Sequence, residues 1–384
     1  MTSRTPLRVH LFAAALLLAG LAWAQPAPQP KPRWSPEHEK KVGAEAAVEI
    51  EKKWKVLDDP DNLKKLTEIV TTIAAVSGRP EVKYTVKIVD STEVNAFTIP
   101  GGYVYVTKGL LADAQSDSEL AGVLAHEITH NVFYDALDGA KKNQKLFMGS
   151  LAAAVGAMLL GGKGNTVTAA LSAGEYIRLG IMCQYSLDVE TRADSYAVKY
   201  LLAGKKYNPV GMLTFMERLA AQERHKPKRE LGVYADHPDT DIRCRMIMDQ
   251  LEASDVDLNR RAVTKWDPAK AEEKDVAGLK VPVVRLWGVD LLKVQTAAEA
   301  PTALDRAKGL ADGLTQSLAA GLGAYEIRAD VKSPQPRVLL GDRVWLTISA
   351  GDAQAAGVTP AELANQVAAS LGAAMHKEEL ERWW

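Results

Sequence analysis

Ser116-Asp117-Ser118-Glu119-Leu120-Ala121-Gly122-Val123-Leu124-Ala125-His126-Glu127-Ile128-Thr129-His130 reads as a helix whose far end carries chemistry. Ser116 with Glu119 three residues later is a capping box. Leu120, Val123, Leu124, Ile128 and Val132 recur at helical spacing and give the helix a core-facing stripe. The pattern predicts a helix from Ser116 to Leu137, ended by Asp138-Gly139. At about 100° per residue, His126 and His130 lie about 40° apart on one face, one turn apart. Two imidazoles so placed can reach one zinc ion, with Glu127 beside them as general base for the metal's water. With seven histidines in the chain, chance yields this five-residue pattern at roughly the one-in-a-hundred level. The plainer reading, two surface histidines, sits poorly on a capped and otherwise apolar helix.

A histidine pair leaves zinc short of a third protein ligand. Glu190 and Asp194 lie one turn apart on a later predicted helix, Leu187 to Ala203, with small Ala193 beside Asp194. Glu190 can supply the third ligand. Asp194 can accept a hydrogen bond from the other nitrogen of one imidazole, His126 first, and fix its tautomer. Taken alone, the pair would be a solvated acidic face; the upstream motif favours the metal. His237-Pro238 forms a third group, with Arg243 six residues after the histidine. Pro238 pins a helix start, so His237 sits at a positive helix end. It can stabilise an oxyanion, close on the metal as a fourth ligand, or be an ordinary helix-entry histidine.

Outward from these groups the chain divides readily. Ser35-Pro36 starts a helix running towards Trp54, and Asp59-Pro60 starts another ending near Ser77. Val82 to Val89, Val94 to Ile99 and Tyr103 to Thr107 read as strands, the last two joined by Pro100-Gly101-Gly102. Pro209 and Pro238 each open a further helix. Residues 255–276, rich in charge, read as a linker. Beyond them, Leu279 to Leu286 and Tyr325 to Val331 read as strands and Arg337 to Ser349 as a hairpin turning at Gly341-Asp342. Pro301 to Leu322 and Thr359 to Glu381 read as helices. The expected fold class is α+β. A mostly helical domain with a small antiparallel sheet spans 35–254, and a small α+β domain of unknown role and partner spans 277–384.

Composition sets bounds only. Forty-seven basic against 48 acidic side chains give a net charge of -1, which argues against nucleic acid as a partner. Arg4 and Arg8, the apolar run Leu11 to Leu21 and Ala22-Trp23-Ala24 read as a signal peptide of residues 1–24, cut after Ala24. A Pro-rich spacer, 25–34, follows. Export places the protein outside the cytosol, where disulfides are permitted. Cys183 and Cys244, each next to a candidate site element, are either a disulfide or two buried thiols. Leu146 to Leu160 is uncharged, with Lys145 and Lys163 outside it. As a helix of about 22 Å it falls short of a ~30 Å hydrocarbon layer, and reads as a lid or as a contact with the membrane surface.

Together these residues resemble the zinc metallopeptidases related to the CAAX prenyl protease, HtpX and BepA. The resemblance runs from about Ser35 to Glu252, through the block Asn95 to Val106, Gly109-Leu110-Leu111, Glu119 to Glu127, Glu190 to Asp194, and His237-Pro238 to Arg243. It implies a gluzincin-type endopeptidase with one zinc per chain, held by His126, His130 and Glu190, and with Glu127 as base. It implies an accessory catalytic role for His237 aided by Arg243. It further implies that the strand at Asn95, Ala96 and Phe97 pairs with substrate backbone, which an open edge beside a metal can do by main-chain hydrogen bonds. The implied setting is the periplasm, and the implied substrates are unfolded or misassembled envelope proteins. A chaperone or assembly module with its zinc site closed by His237 is the alternative. The chain departs from the family after the second histidine, where Phe133-Tyr134-Asp135 replaces a common basic residue and histidine.

Overall fold

The structure, a computed structural model, describes residues 33–139, 141, 185–225, 240–276, 278–297 and 300–383. The signal peptide, most of the spacer, the 146–160 segment, Cys183 and His237 lie outside the described residues. The described chain is α+β and forms two compact units. One takes the residues up to Ala112 together with Val123–Lys206; the other takes Asp113–Gly122 together with Tyr207–Trp384.

In the first unit, α1 (Pro36–Lys53) begins where Ser35 accepts a hydrogen bond from the His38 N–H, with Pro at the first helical position. A two-residue strand β1 (Val56–Leu57) follows, then α2 (Pro60–Val76), capped by Asp59. Strands β2 (Thr85–Val89), β3 (Ala96–Ile99) and β4 (Tyr103–Thr107) complete a four-stranded sheet of order β1-β2-β4-β3. The sheet is mixed rather than antiparallel throughout, because β2 and β4 run parallel with Thr85 opposite Tyr103. Strand β2 starts at Thr85, three residues later than its alternation predicts; residues 82–84 form no ladder. β3 is an edge strand, antiparallel to β4. The turn between them needs its glycines: Gly101 and Gly102 have φ of 80° and 85°, and a Cβ on Gly102 would come within 2.6 Å of the Lys83 carbonyl oxygen.

Leu66, Ile69 and Ile73 on α2 and Ile88, Val104 and Val106 in the sheet are at most 2% exposed. Each such burial contributes about 1.5–3 kcal/mol. On the other side of the sheet, Ala46, Ala47 and Ile50 of α1 cluster with Val89, Ile99 and Tyr105. A short α3 (Lys108–Asp113) leads to α4 (Asp117–Val132), which belongs to this unit from Val123 on, and α5 (Leu187–Gly204) closes the unit.

Helix α4 stops at Val132, five residues short of the Leu137 that its stripe predicts. Tyr134 takes φ 62° and interrupts the ladder, after which residues 135–139 turn helical again. A left-handed tyrosine inside an apolar run leaves no mark on the periodicity, so the sequence hides the break.

The second unit carries α6 (Val210–His225), α7 (Thr240–Ala253), and two three-stranded antiparallel sheets with their helices. The first sheet is β5 (Lys270–Val276), β6 (Leu279–Leu286) and β7 (Val289–Lys293). The 255–276 stretch is therefore not all linker: β5 pairs along its length with β6. It is an edge strand whose charged side chains face solvent, so it lacks the apolar alternation that marks a half-buried strand. Helix α8 (Ala303–Ala319) follows, then β8 (Ile327–Asp330), β9 (Arg337–Leu340) and β10 (Arg343–Thr347), turning at Gly341 as predicted. Helices α9 (Ala350–Ala356) and α10 (Pro360–Trp383) come last; β7 and α9 have no counterpart among the elements that periodicity predicts. Val284, Leu286, Leu314, Val338, Leu346 and Leu371 belong to the core of this part of the chain, each at most 1% exposed. No helix among the described residues is long and apolar enough to cross a membrane.

Candidate metal centre

Helix α4 is anchored at its start and loaded at its end. The Ser116 hydroxyl accepts from the Glu119 N–H at 3.2 Å. The Glu119 carboxylate, fully buried, accepts from the Gln115 N–H at 2.8 Å and from Arg218 at 2.6 Å. The cap is thus extended by a charged anchor, which fixes the helix start. Gly122 lies against α6, where a Cβ would sit 2.6 Å from Met212 Cα.

Two turns on, His126, Glu127 and His130 are 6%, 5% and 3% exposed. The two Nε2 atoms stand 3.0 Å apart, with the rings edge-on at 84°. The fully buried Glu190 from α5 brings one carboxylate oxygen to 3.4 Å from His126 Nε2 and the other to 3.7 Å from His130 Nε2. One donor atom from each of the three residues lies within 4.8 Å of the others. The structure therefore brings together His126, His130 and Glu190, the three side chains expected on the metal.

Each imidazole is held from behind. Asp194 Oδ1 is 2.8 Å from His126 Nδ1, as the one-turn offset from Glu190 predicts. Asp135 Oδ2 is 2.9 Å from His130 Nδ1. A carboxylate only accepts, so both Nδ1 atoms carry the proton and both Nε2 atoms turn towards Glu190. Burial alone would drive His126 neutral; the hydrogen bond and charge of Asp194, with Glu190, outweigh it and push His126 up to about 10. Burial, together with the neighbouring charge on His126, holds His130 below its ordinary value against the pull of Asp135. A positive charge is thus favoured where the two Nε2 atoms and the carboxylate meet. Two imidazole nitrogens and one carboxylate, buried and converging, with each imidazole backed by an acceptor, fit zinc in donor type and number.

Asp135, Arg192 and Tyr185 are site residues that spacing does not reveal. Continued helix would carry Asp135 about 140° round from His130; the break at Tyr134 brings it back. Arg192 and Tyr185 flank Glu190 without any periodic signal of their own.

The edge strand is tied to this helix. Thr98 donates to the Glu127 carbonyl at 3.0 Å, and the Asn131 amide donates to the Ile99 carbonyl at 3.1 Å. Asn95 and Ala96 are buried, and Asn95 Oδ1 has no hydrogen-bond partner among the described residues. Phe97 stacks on Tyr105, 5.1 Å between centroids, so its side chain serves the α1 face of the sheet. Arg243 is 2% exposed on α7 in the second unit. Cys244 beside it is partly buried.

Residues 60–250, about half of the chain, match peptidase family M48, and residues 282–378 match a domain of unknown function (DUF8459). The chain is similar to the mitochondrial metalloendopeptidase OMA1 of Schizosaccharomyces pombe, 27% identical over 191 residues, covering 50% of this chain and 53% of that protein. It is similar to the putative beta-barrel assembly-enhancing protease of Vibrio cholerae, 28% identical over 174 residues, covering 45% and 36%. It is also similar to OMA1 of Arabidopsis thaliana, 32% identical over 164 residues, covering 43% and 31%. The chain thus spans about half or less of the length of these relatives. The matched segment contains both helices of the His126–His130–Glu190 cluster, and through it this chain belongs to peptidase family M48.

Proposed function

We propose that this protein is a zinc-dependent metalloendopeptidase. The observation that carries the reading is the convergence of two buried imidazole Nε2 atoms and the Glu190 carboxylate, each imidazole already fixed through Nδ1. His126, His130 and Glu190 would hold the metal. When bound, zinc supplies Lewis acidity toward a carbonyl and lowers the pKa of a water.

The chain's own groups do the rest. Glu127 takes the proton of the attacking water and delivers it to the leaving nitrogen. The segment Asn95 to Phe97, whose last two residues open the β3 edge, holds an extended polypeptide by main-chain hydrogen bonds, while Asn95 itself bonds through its N–H and carbonyl to Thr107. The bonds of that edge to α4 through Thr98 and Asn131 support this role, because they fix the edge relative to Glu127. His237, aided by Arg243, supports the developing oxyanion. The substrates are polypeptides, and among them we favour unfolded or misassembled envelope proteins in the periplasm, reached after removal of residues 1–24. The similarity to beta-barrel assembly-enhancing proteases supports that choice.

The test is Glu127→Gln. Zinc stoichiometry should stay at one per chain while cleavage of casein disappears. Cleavage surviving in the variant would remove Glu127 from the mechanism, and a wild-type protein that takes up no zinc would remove the enzyme.

A further inference from the structure

We infer that Asp135 and Arg192 form a clamp that positions His130 for the metal. The inference deepens the zinc reading above and rests on it. Asp135 is 7% exposed and reaches His130 Nδ1 at 2.9 Å. Arg192 Nη2 stands 2.5 and 2.6 Å from the two Asp135 oxygens. Oδ2 thus takes both the imidazole and the guanidinium, and the charge-assisted contact of Arg192 with both oxygens holds the carboxylate's orientation towards the imidazole.

The surroundings are built for this grip. The Arg192 guanidinium lies 4.4 Å over the Phe133 ring, and Phe133 meets Tyr196 edge-on at 4.8 Å. Tyr185 stacks on His130 at 4.4 Å with the rings 17° from parallel. His130 is thus held by a hydrogen bond at its edge and a ring on its face. The backbone is bent to bring Asp135 there: Tyr134 has φ 62°, a conformation that costs a bulky residue about 1–2 kcal/mol. Arg79 lies 4.3 Å over the Tyr134 ring and braces the bend. Backbone strain beside a site is retained where the geometry it creates is used.

Helix α5 then holds the site three times. Glu190 supplies the carboxylate facing both Nε2 atoms, Asp194 orients His126, and Arg192 orients the residue that orients His130. Asp135 lies outside α5, and Arg192 ties it to the helix that carries the other two carboxylates.

Zinc affinity of the full-length protein, measured by competition with a chromophoric chelator, tests the clamp. Asp135→Asn should weaken zinc about 10- to 100-fold. Arg192→Gln, which leaves the imidazole's partner in place, should weaken it by a smaller factor, about three- to tenfold. The double variant should bind no more weakly than Asp135→Asn, because the two residues act as one unit. The visible absorption of the cobalt-substituted protein should shift in Asp135→Asn and return towards wild type in Asp135→Glu. If Asp135→Asn does not fold, Arg192→Gln decides. Wild-type affinity and an unshifted cobalt spectrum in the variants would overturn the clamp and leave the metal site standing. Additive losses in the double variant would overturn the coupling. Absence of zinc uptake by wild type would bring down the metal reading itself.

Discussion

Thr98 on the β3 edge donates its hydroxyl to the backbone carbonyl of Glu127, 3.0 Å away and buried. This bond, with that from Asn131 to the Ile99 carbonyl, sets the distance between the strand proposed to hold substrate and the residue proposed to move the proton. Thr98→Val keeps the shape and the strand preference and removes only the donor. It should lower stability by about 1 kcal/mol. It should also lower kcat/KM on a peptide about fivefold, since misplacement of a reacting group is read in the transition state. Zinc content should not change. An unaltered kcat/KM would mean that the strand and the base are positioned by other contacts.

Metal removal should be visible as a loss of stability. The three donor side chains are almost completely buried and face one another within 4.8 Å. Zinc at a hundred times its dissociation constant stabilises by about 2.7 kcal/mol, which in a protein of this size shifts melting by several degrees. Treatment with 1,10-phenanthroline should lower the melting temperature, and added zinc should restore it. In His126→Ala the melting temperature should no longer respond to zinc. A response that persists in this variant would place the metal elsewhere.

The parts of this site that obey a period are legible in the sequence, and the parts that depend on a break are not. His126 and His130, like Glu190 and Asp194, are one helical turn apart, so the common face of each pair is readable from spacing alone. The caps at Ser35, Asp59 and Ser116 and the turn at Gly101-Gly102 are equally local, and they stand where the residue types put them. Asp135 is different. Its place beside His130 depends on the left-handed Tyr134, which no apolar pattern reports. Strand β5 is lost for a related reason: an exposed edge has no buried face to impose alternation, so its charges read as linker. The parallel pairing of β2 with β4 is a matter of long-range topology that the alternation of either strand does not encode.

Gly122 and Gly309 should respond in opposite directions to the same substitution. Both lie inside helices, where alanine is favoured over glycine by about 1 kcal/mol. At Gly309 on α8 the added Cβ meets nothing within 4 Å, so Gly309→Ala should stabilise by about 0.5–1 kcal/mol. At Gly122, one turn before His126, it would lie 2.6 Å from Met212 Cα and 2.8 Å from its Cβ. Backbone cannot step aside as a side-chain tip can, so Gly122→Ala should destabilise by about 1–3 kcal/mol net. Urea denaturation midpoints read both. A stabilising Gly122→Ala would mean that the α4–α6 packing is looser than these distances.

Arg306 and Asp352 form a fully enclosed ion pair, with side chains 2% and 0% exposed and contacts of 2.8 and 2.9 Å. The pair also serves backbone groups. Arg306 donates to the carbonyls of Gln295 and Thr347, and Asp352 accepts from the N–H groups of Gln295 and Ser349. Asp352→Asn leaves the arginine charge uncompensated in the interior and should destabilise by about 3–5 kcal/mol. Replacing both partners with apolar residues should not rescue it, because these backbone groups would then lose their partners. Hydrogen exchange should accelerate in β10 and α9 while zinc stoichiometry stays at one, since the pair belongs to the unit that does not contain His126. Wild-type exchange in Asp352→Asn would show that the pair is dispensable to the C-terminal core.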